Sequence, residues 1–217
     1  MPDDAKYIVF IADVVDSSQL VVTERQDLQN DLIRLISELN ERFQQRLRTK
    51  LFITGGDAIQ AVVKDPVVIP DMAWDLWSAL HRVDLQISVG FGRIFTEFND
   101  DPRLMDGPAF HNAAKFAPRG AGLSFRGFGE SQDAILNGLG AFLHTLFKKF
   151  TPRQREALVL LHDGGSQTAI ADRLGVSKQA VSRYIKTSGW HAFKQGEDAL
   201  RKALVLFTPQ AASGNNT

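Results

Sequence analysis

The sequence predicts an α+β protein in which a ferredoxin-like α/β domain is followed by an all-α domain. The first 130 residues show the order strand, helix, strand, strand, helix, strand, which is typical of a ferredoxin-like domain with one antiparallel sheet covered by helices. The rest of the chain shows only helical spacing. Residues 1–150 hold 16 basic and 20 acidic side chains, whereas residues 151–217 hold 9 and 5. This reversal of net charge suggests that the two parts have different tasks.

The predicted sheet begins with a short apolar run, YIVFIA at residues 7–12, which ends at Asp13 and is typical of a buried strand. Residues 23–48 carry apolar side chains three or four positions apart, and this spacing predicts a long amphipathic helix. The segments LFIT and AIQAVV then flank two glycines at 55–56. This pattern predicts a β-hairpin with Asp57 at its turn.

Residues 71–83 form the second predicted helix of this domain, with Asp71 as its N-cap. This helix carries Trp74 and Trp77, which could form a binding box or belong to the core. Large side chains at helical spacing usually face the interior, so we favour the core.

Residues 85–95 alternate as a strand does, and Gly90 and Gly92 thin this strand where a backbone or a ligand must come close. A short helix between Pro108 and Pro118 and a last strand at residues 121–126 complete the domain. We therefore divide the chain into a first domain at 1–130, a helix at 131–150 that links domains or pairs protomers, an all-α domain at 151–207 and a disordered tail at 208–217.

Composition excludes several classes of protein. No apolar stretch reaches the roughly 18 residues that a membrane span needs, and the N-terminus has no basic segment followed by an apolar run. The chain has no cysteine, which excludes disulfides, thiolate metal sites and a cysteine nucleophile, and which fits a reducing compartment. We expect a cytoplasmic protein with no membrane partner.

The C-terminal domain carries a helix-turn-helix pattern in SQTAIADRLGVSKQAVSRYI, with Ser166 and Ser177 as N-caps and Gly175 at the sharp turn. This stretch resembles the helix-turn-helix of LuxR-type regulators and of the last region of sigma factors. In such modules the second helix offers polar residues to base edges in the major groove of double-stranded DNA. The predicted DNA-binding residues are Ser177, Lys178, Gln179, Ser182, Arg183 and Lys186.

Alternatives remain for this domain. Its three helices could form a protein-binding or dimerisation module, and the helix from residue 191 to residue 207, with Trp190, could cover the module or dimerise. A group of basic residues before the motif could contact phosphates or could form a solvated face. This group comprises Lys148, Lys149, Arg153 and Arg155.

In the first domain, Asp13 and Asp57 follow neighbouring strands and are expected to converge at one edge of the sheet. Carboxylate oxygens suit Mg²⁺ or Mn²⁺, and such ions can neutralise a bound triphosphate. The alternative is a pair of carboxylates that only cap turns. The segment after Asp13 offers backbone N–H groups and hydroxyls to phosphates. The predicted nucleotide contacts in this region are Val14, Val15, Asp16, Ser17, Ser18 and Gly56, and the alternative for Asp16 is that it only caps the helix that follows.

The motifs FIADVVDSS, TGGDAIQAV, ISVGFGRI and DGPAFHNAAKFA follow the order found in class III nucleotidyl cyclases. Together with the C-terminal helix-turn-helix they resemble the SatD family over nearly the whole chain. The resemblance implies a nucleotidyl-cyclase-type fold, metal binding by Asp13 and Asp57, and sites shared across a dimer. It also implies that His111 and Lys115 occupy nucleotide-binding positions, although a lone His on a short helix can also be structural. Asp106 could contact a base edge of the nucleotide or simply start the turn before Gly107.

The sequence departs from cyclases at the positions that complete catalysis. Where a cyclase has Asn and Arg, this chain has His111 and Lys115, and Lys lacks the bidentate geometry of Arg. Where adenylate cyclases have a base-selecting Lys, this chain has Ile53. These departures favour nucleotide binding over turnover.

We therefore expect a homodimeric transcription regulator whose cyclase-like domain binds a purine nucleotide with Mg²⁺ or Mn²⁺ and whose helix-turn-helix binds DNA. The enzyme alternative is a metal-dependent nucleotidyl cyclase or transferase with a DNA-binding tail. A third possibility is a dimeric scaffold with an empty site.

Overall fold

The computed structural model describes residues 5–115 and 122–208 of the 217-residue chain. Helices and strands alternate in the first part, and only helices follow β5 among these residues. The strands are β1 (Tyr7–Val14), β2 (Phe52–Thr54), β3 (Ala58–Val63), β4 (Leu85–Gly92) and β5 (Leu123–Arg126). The helices are α1 (Val22–Phe43), α2 (Ile69–Ala79), α3 (Pro108–Ala113), α4 (Glu130–Lys149), α5 (Pro152–His162), α6 (Gln167–Leu174), α7 (Lys178–Ser188) and α8 (Trp190–Phe207).

The five strands form one sheet in the order β2-β3-β1-β4-β5. The predicted α+β class is confirmed, and the first four strands have the ferredoxin-like arrangement, with β1 antiparallel to both β3 and β4. The prediction of a purely antiparallel sheet is wrong at one edge, because β5 runs parallel to β4. The long connection that contains α3 crosses from one end of the sheet to the other, and such a crossover produces parallel neighbours.

The two faces of the sheet carry different layers. From β1, Ile8 and Phe10 face the main core with α1 and α2, whereas Val9 and Ile11 face a smaller core that includes α3. The expected close approach at Gly90 is confirmed, and the approaching group is the backbone of α3. A Cβ atom at Gly90 would lie 2.1 Å from the carbonyl oxygen of Ala109.

Several predicted boundaries shift, each for a local reason. Helix α1 ends at Phe43 rather than at residue 48, because a 3₁₀ turn follows and lets Leu47 bridge to Val63. Strand β4 ends at Gly92 rather than at residue 95, because its partner β1 begins opposite, at Tyr7. Helix α3 ends at Ala113, before the predicted end at Pro118. The predicted start of β5 at residue 121 lies outside the described residues, as does the tail from residue 209.

Helix α2 begins at Ile69, so the prediction that Asp71 is its N-cap is wrong. A 3₁₀ turn capped by Asp65, which accepts a hydrogen bond from the N–H of Val67, leads directly into the helix. Asp71 instead lies in the first turn of α2 and accepts a hydrogen bond of 2.7 Å from Arg201 of α8. Its role is to join the two parts of the chain.

The main core continues from the sheet domain into the helical domain through Trp74 of α2. The Trp74 ring stacks on His162 of α5 at 4.8 Å and meets Phe193 and Trp190 of α8 edge-on at 5.2 and 5.3 Å. We call Trp74, His162, Trp190 and Phe193 the helix joint. Trp74 and Trp77 are 1% and 4% exposed, which confirms that both tryptophans belong to the core.

Helix α8 covers this region, which was one of its two expected roles. It packs along α4, and its Leu200 and Leu204 are fully buried. Helix α4 agrees within one residue with the helix expected before the C-terminal domain. The two parts of the chain therefore share one apolar core in this structure.

A buried carboxylate ties α8 to the helix joint. Glu197 is 1% exposed and receives hydrogen bonds from Lys194, from Arg201 at 3.2 Å and from His162 at 3.4 Å. Burial alone would raise the pKa of Glu197, but hydrogen bonds from these three groups outweigh it and lower the pKa to about 2. The ionised form of Glu197 therefore stabilises the fold.

A similar carboxylate in α2 titrates in the opposite direction. Asp75 makes a bidentate pair with Arg42 of α1 at 2.9 and 3.0 Å. Burial nevertheless raises the pKa of Asp75 to about 6, because desolvation exceeds the attraction of Arg42 and His162. Ionised Asp75 thus destabilises the folded state above about pH 6, and this penalty falls as the pH drops towards 3.8.

We predict that Gly90→Ala lowers the free energy of unfolding by about 3 kcal/mol, because the added methyl group overlaps the backbone of α3. Chemical denaturation measures this change. Ser88→Ala in the same strand is the control, since the buried Ser88 hydroxyl has no hydrogen-bond partner among the described residues and its loss should be nearly neutral. Equal stability of Gly90→Ala and Ser88→Ala would contradict the packing of α3 on β4.

We predict that Glu197→Gln lowers the free energy of unfolding at pH 7 by about 3 kcal/mol, given the pKa of about 2 in the fold against the ordinary 4.5. A lowered pKa stabilises above the unfolded value, so this contribution is lost as the pH falls from 4.5 towards 2. Denaturation at several pH values should therefore show a steeper acid loss in the wild type than in Glu197→Gln. Asp198→Asn, an exposed neighbour, is the control and should follow the wild type.

Candidate functional site

Asp13 and Asp57 meet at one edge of the sheet, as the sequence predicts. Asp13 is the second-to-last residue of β1, and the register of β1 with β3 pairs Ala12 with Ile59. Asp13 therefore lies beside the start of β3, immediately after the turn that carries Asp57. Both side chains are partly exposed.

The two carboxylates interact electrostatically. Burial and then the negative charge of Asp57 raise the pKa of Asp13, while a hydrogen bond from the Val14 N–H partly offsets them. A cation between the two carboxylates would relieve this repulsion. Hard oxygen ligands of this kind fit Mg²⁺ or Mn²⁺.

A cleft of about 250 Å³ opens beside Asp57, between the hairpin turn and the first part of α1. Gly55 and Gly56 form its rim with φ angles of +62° and +103°, and a Cβ on either would meet no atom within 4 Å. Glycine adopts such a backbone without strain, whereas other residues rarely do, so the conformation of the turn favours glycine. The space beside the turn is open to a ligand. The lining residues are Ser17, Ser18, Arg25, Leu28, Gln29, Leu32, Gly55, Gly56 and Asp57.

The segment after β1 fits the predicted phosphate cradle only in part. Val14 is buried in the core and its N–H bonds to Asp13, while the Val15 N–H donates to the carbonyl oxygen of Asp84 at 2.8 Å. These two N–H groups are therefore engaged within the fold and are not available as donors to a phosphate. Ser17 and Ser18 do line the cleft.

Asp16 marks a sharp change of direction between β1 and the cleft. It is the one non-glycine residue with positive φ in the described ranges, with φ of 57° and ψ of 28°. Its carbonyl oxygen accepts the N–H of Gln19, while its side chain does not cap the 3₁₀ turn that follows. Left-handed backbone at a non-glycine residue is often found at functional sites.

The cleft does not include three of the predicted nucleotide contacts, namely Asp106, His111 and Lys115. Asp106 Oδ1 and His111 Nε2 are 2.8 Å apart, and both side chains are exposed. His111 belongs to α3, which covers the sheet face opposite α1 and α2, and Lys115 follows α3 at the surface. Within one chain the structure thus pairs Asp106 with His111 and does not bring these residues to the rim of the cleft.

The C-terminal domain has the predicted caps and turns. Thr151 and Gln154 form a capping box at the start of α5. The hydroxyls of Ser166 and Ser177 accept N–H groups of α6 and α7, and Gly175 ends α6 with φ of +64°. The buried contacts among α5, α6 and α7 come from Ala157, Leu158, Ile170, Ala171, Val181 and Ile185.

The outer face of α7 is polar and basic. All six predicted DNA-binding residues are exposed on it, and α7 contains no acidic residue. The second helix of a helix-turn-helix presents such a face to the major groove. The six residues are Ser177, Lys178, Gln179, Ser182, Arg183 and Lys186.

The basic residues that precede this motif have partners within the fold. Lys148 pairs with Asp84 at 2.5 Å, and Arg153 pairs with Glu156 at 2.8 Å. The guanidinium of Arg155 lies over the ring of Phe147. Three of the four candidates therefore have local structural roles, and Lys149 is simply exposed.

Comparison with known families identifies both parts of the chain. Residues 7–118 match the SatD family. The chain belongs to the SatD family. Residues 151–201 match a homeodomain-like domain, which agrees with the caps and exposed basic face of α7. The SatD match covers the edge carboxylates, the cleft and α3.

Two solved structures resemble this SatD family member. A non-canonical dimeric guanylyl cyclase domain of the RhoGC fusion protein from the aquatic fungus Blastocladiella emersonii is 16% identical, with a TM-score of 0.34, covering 56% of this chain and 78% of the other. A regulator of polyketide synthase expression from Bifidobacterium adolescentis is 13% identical, with a TM-score of 0.21, covering 93% and 84%. No curated protein matches this chain in sequence.

Of the helices in residues 5–115 and 122–208, none is both long enough and apolar enough to span a bilayer.

In this SatD protein, α1 also brings Arg25 and Gln29 to the cleft, and neither residue was among the predicted contacts. Arg25 Nη2 donates to the carbonyl oxygens of Ser18 at 3.1 Å and Ser17 at 3.4 Å. It thus holds the serine turn against α1 and adds a positive charge near Asp57. The signal was present, because Arg25, Gln29 and Leu32 share one helix face close behind the two serines.

A second group of potential metal ligands lies at the helix joint. Asp71, His162 and Glu197 place ligand atoms within 4.8 Å of one another. Arg201 bonds to both carboxylates, and Lys194 bonds to Glu197. These cations already neutralise the carboxylates, so the group is an ion-pair network that fastens α2 to α8.

We predict that Arg183→Ala and Gln179→Ala each lose roughly 1–3 kcal/mol of discrimination at particular base pairs, as expected for base-edge contacts. The sites are first selected from a random DNA pool, and affinities are then measured for each single-base change. Arg34→Ala, which removes an exposed charge from α1, is the control and should leave base preference unchanged. Uniform weakening on every sequence would instead identify Arg183 or Gln179 as a phosphate contact.

Proposed function

We propose that this protein is a homodimeric, cytoplasmic transcription regulator whose cyclase-like domain binds a purine nucleotide together with a divalent metal. The observation that carries the proposal is the meeting of Asp13 and Asp57 beside an open cleft rimmed by glycine backbone. The helix-turn-helix indicates a DNA-binding regulator. The nucleotide, the metal, the homodimer and the cytoplasmic location are the parts that we add.

The chemistry of the cleft supports a phosphate group next to a metal. Asp13 and Asp57 would hold Mg²⁺ or Mn²⁺, which supplies positive charge to a bound phosphate. Ser17 and Ser18 offer hydroxyl donors to phosphate oxygens, and the exposed turn at Gly55 and Gly56 lets a ligand approach the backbone closely. The site thus combines carboxylates for the metal with hydroxyl and backbone groups for the phosphate.

A continuous set of contacts connects the cleft with the DNA-binding domain. Helix α1 lines the cleft and pairs through Arg42 with Asp75 of α2. Helix α2 in turn carries Trp74 and Asp71, which contact α5 and α8 at the helix joint. A ligand that shifts α1 would therefore change the position of the helix-turn-helix. This requires that the ligand binds the two conformations of the protein with different affinity.

Binding without turnover fits the groups present better than catalysis does. Asn and Arg of cyclases are replaced by His111 and Lys115, and His111 is paired with Asp106. Lysine lacks the two-pronged geometry with which arginine holds a transferring phosphate. The retained Asp13 and Asp57 keep the metal-dependent nucleotidyl cyclase or transferase as the second candidate.

We predict that ATP or GTP with Mg²⁺ or Mn²⁺ raises the melting temperature of the full chain, and that chelator or Asp57→Asn abolishes the shift. A ligand at one hundred times its dissociation constant stabilises by about 2.7 kcal/mol. Asp198→Asn is the matched control, since Asp198 is exposed on α8 and pairs only with Lys202 among the partners seen here.

The outcomes separate the candidates. A metal-dependent shift without release of pyrophosphate supports the sensor, whereas pyrophosphate release that Asp57→Asn abolishes supports the enzyme. The absence of any shift across ATP, GTP and their cyclic derivatives would contradict the nucleotide site and leave a DNA-binding protein with an empty cleft.

A further inference from the structure

Helix α4 has two contrasting faces. One face carries Leu136, Leu143 and Phe147 into the main core. The opposite face is exposed, and yet residues 134–147 contain no charged side chain. Solvent-exposed helix faces normally carry charges, so an uncharged face of this length indicates a contact that residues 5–115 and 122–208 of one chain do not supply.

The exposed face of α4 has two projecting apolar side chains with a hollow at the glycine between them. Ile135 and Phe142 are 51% and 44% exposed, and Gly138 lies between them. A Cβ at Gly138 would meet no atom within 4 Å, so the hollow is open. The Phe142 ring is held against Gly196 of α8, where an added Cβ would come within 2.9 Å of it, so this projection is fixed in place.

The charges of α4 are confined to its ends and have opposite signs. Glu130 and Asp133 lie in the first turn, and Lys148 and Lys149 lie in the last. Asp133 accepts the N–H groups of residues 127 and 128, and Lys148 pairs with Asp84. Glu130 and Lys149 are exposed. Two copies of α4 placed antiparallel would set Glu130 of each opposite Lys149 of the other, whereas parallel copies would oppose like charges.

We propose that the exposed face of α4 is a two-fold interface with a second copy of this chain, in which the two α4 helices run antiparallel. The axis crosses the exposed face of α4 between Gly138 and Ala141, so Phe142 of each copy lies over the Gly138 hollow of the other, and Glu130 meets Lys149 at both ends. The same patch serves on both copies, as a two-fold dimer requires. This inference rests on the homodimer in the proposed function and names its surface.

This interface would have a direct consequence for DNA recognition. Helix α4 is followed by α5 after a turn at Phe150 and Thr151, and the core joins them through Phe147. The pairing of two α4 helices would therefore set the separation and two-fold relation of the two α7 helices. A dimer of this kind reads a palindromic site.

The absence of cysteine from the sequence allows a clean cross-linking test. Ala141 is exposed and lies close to the proposed axis, whereas Glu130 lies at the end of the helix. Under oxidation, Ala141→Cys should form a covalent dimer, and Glu130→Cys should not. A mixture of Glu130→Cys and Lys149→Cys chains should cross-link to each other. Cross-linking of Glu130→Cys alone would indicate parallel helices, and no cross-linking of any variant would overturn the interface.

A charge exchange tests the same geometry in solution. Glu130→Lys or Lys149→Glu alone should weaken dimerisation about tenfold, since each places like charges together at both ends, and the double variant should restore it. Ile135→Asp should yield a monomer with an unchanged circular dichroism spectrum. Sedimentation equilibrium measures the four variants and the wild type, and a wild type that is monomeric at micromolar concentrations would overturn the proposal.

The nucleotide site and the interface can fail separately. The melting shift with ATP or GTP and metal uses Asp57, whereas the dimer test uses α4. Ile135→Asp that loses the dimer but keeps the melting shift would support the interface and show that one chain suffices for the ligand. A dimer without any melting shift would leave the interface intact and remove the nucleotide from the proposed function.

Discussion

The arrangement of this protein depends on the burial of Trp74 among the helices of both domains. Its indole stacks on His162 and meets Phe193 and Trp190, so a residue of the sheet domain occupies the centre of the helical domain's core. Aromatic pairs of this kind stabilise a fold by more than the burial of their apolar area alone would. Separation of the two domains would expose this ring and break the ion pair between Asp71 of α2 and Arg201 of α8 at the same time, so the domains are held as a unit.

This packing gives α2 its importance. On one side α2 pairs with α1 through Asp75 and Arg42, and on the other it contacts α5 and α8. Helix α1 reaches from the cleft to this pair, with Arg25 at one end and Arg42 at the other. Ligand binding at the cleft could therefore act on the DNA-binding domain by moving α1. Allosteric coupling of this kind requires a connecting element that can adopt two discrete arrangements.

The local parts of the fold could be predicted from sequence, because periodicity and cap chemistry are local signals. The spacing of apolar residues identifies α1, and Ser166, Gly175 and Ser177 mark the helix-turn-helix correctly. The hairpin glycines likewise place Asp57 near Asp13. Such signals act over a few residues and need no knowledge of the tertiary structure.

What the sequence did not reveal depends on residues far apart in the chain. Asp71 looks like an N-cap until α8 brings Arg201, 130 positions away, to its carboxylate. The parallel pairing of β5 depends on the path of the crossover that contains α3, which no local pattern records. Arg25 was overlooked because an exposed arginine on an amphipathic helix usually needs no explanation.

The two carboxylates at the edge of the sheet, Asp13 and Asp57, repel each other. Asp13 has a raised pKa because the fold buries it and places Asp57 beside it. Two carboxylates held in repulsion destabilise the folded protein relative to neutral residues at the same positions. In the proposed function, a cation bound between Asp13 and Asp57 would relieve this repulsion and would stabilise the edge of the sheet. Because α1 lines the adjoining cleft and pairs with α2, that stabilisation would act on the element that joins the cleft to the DNA-binding domain.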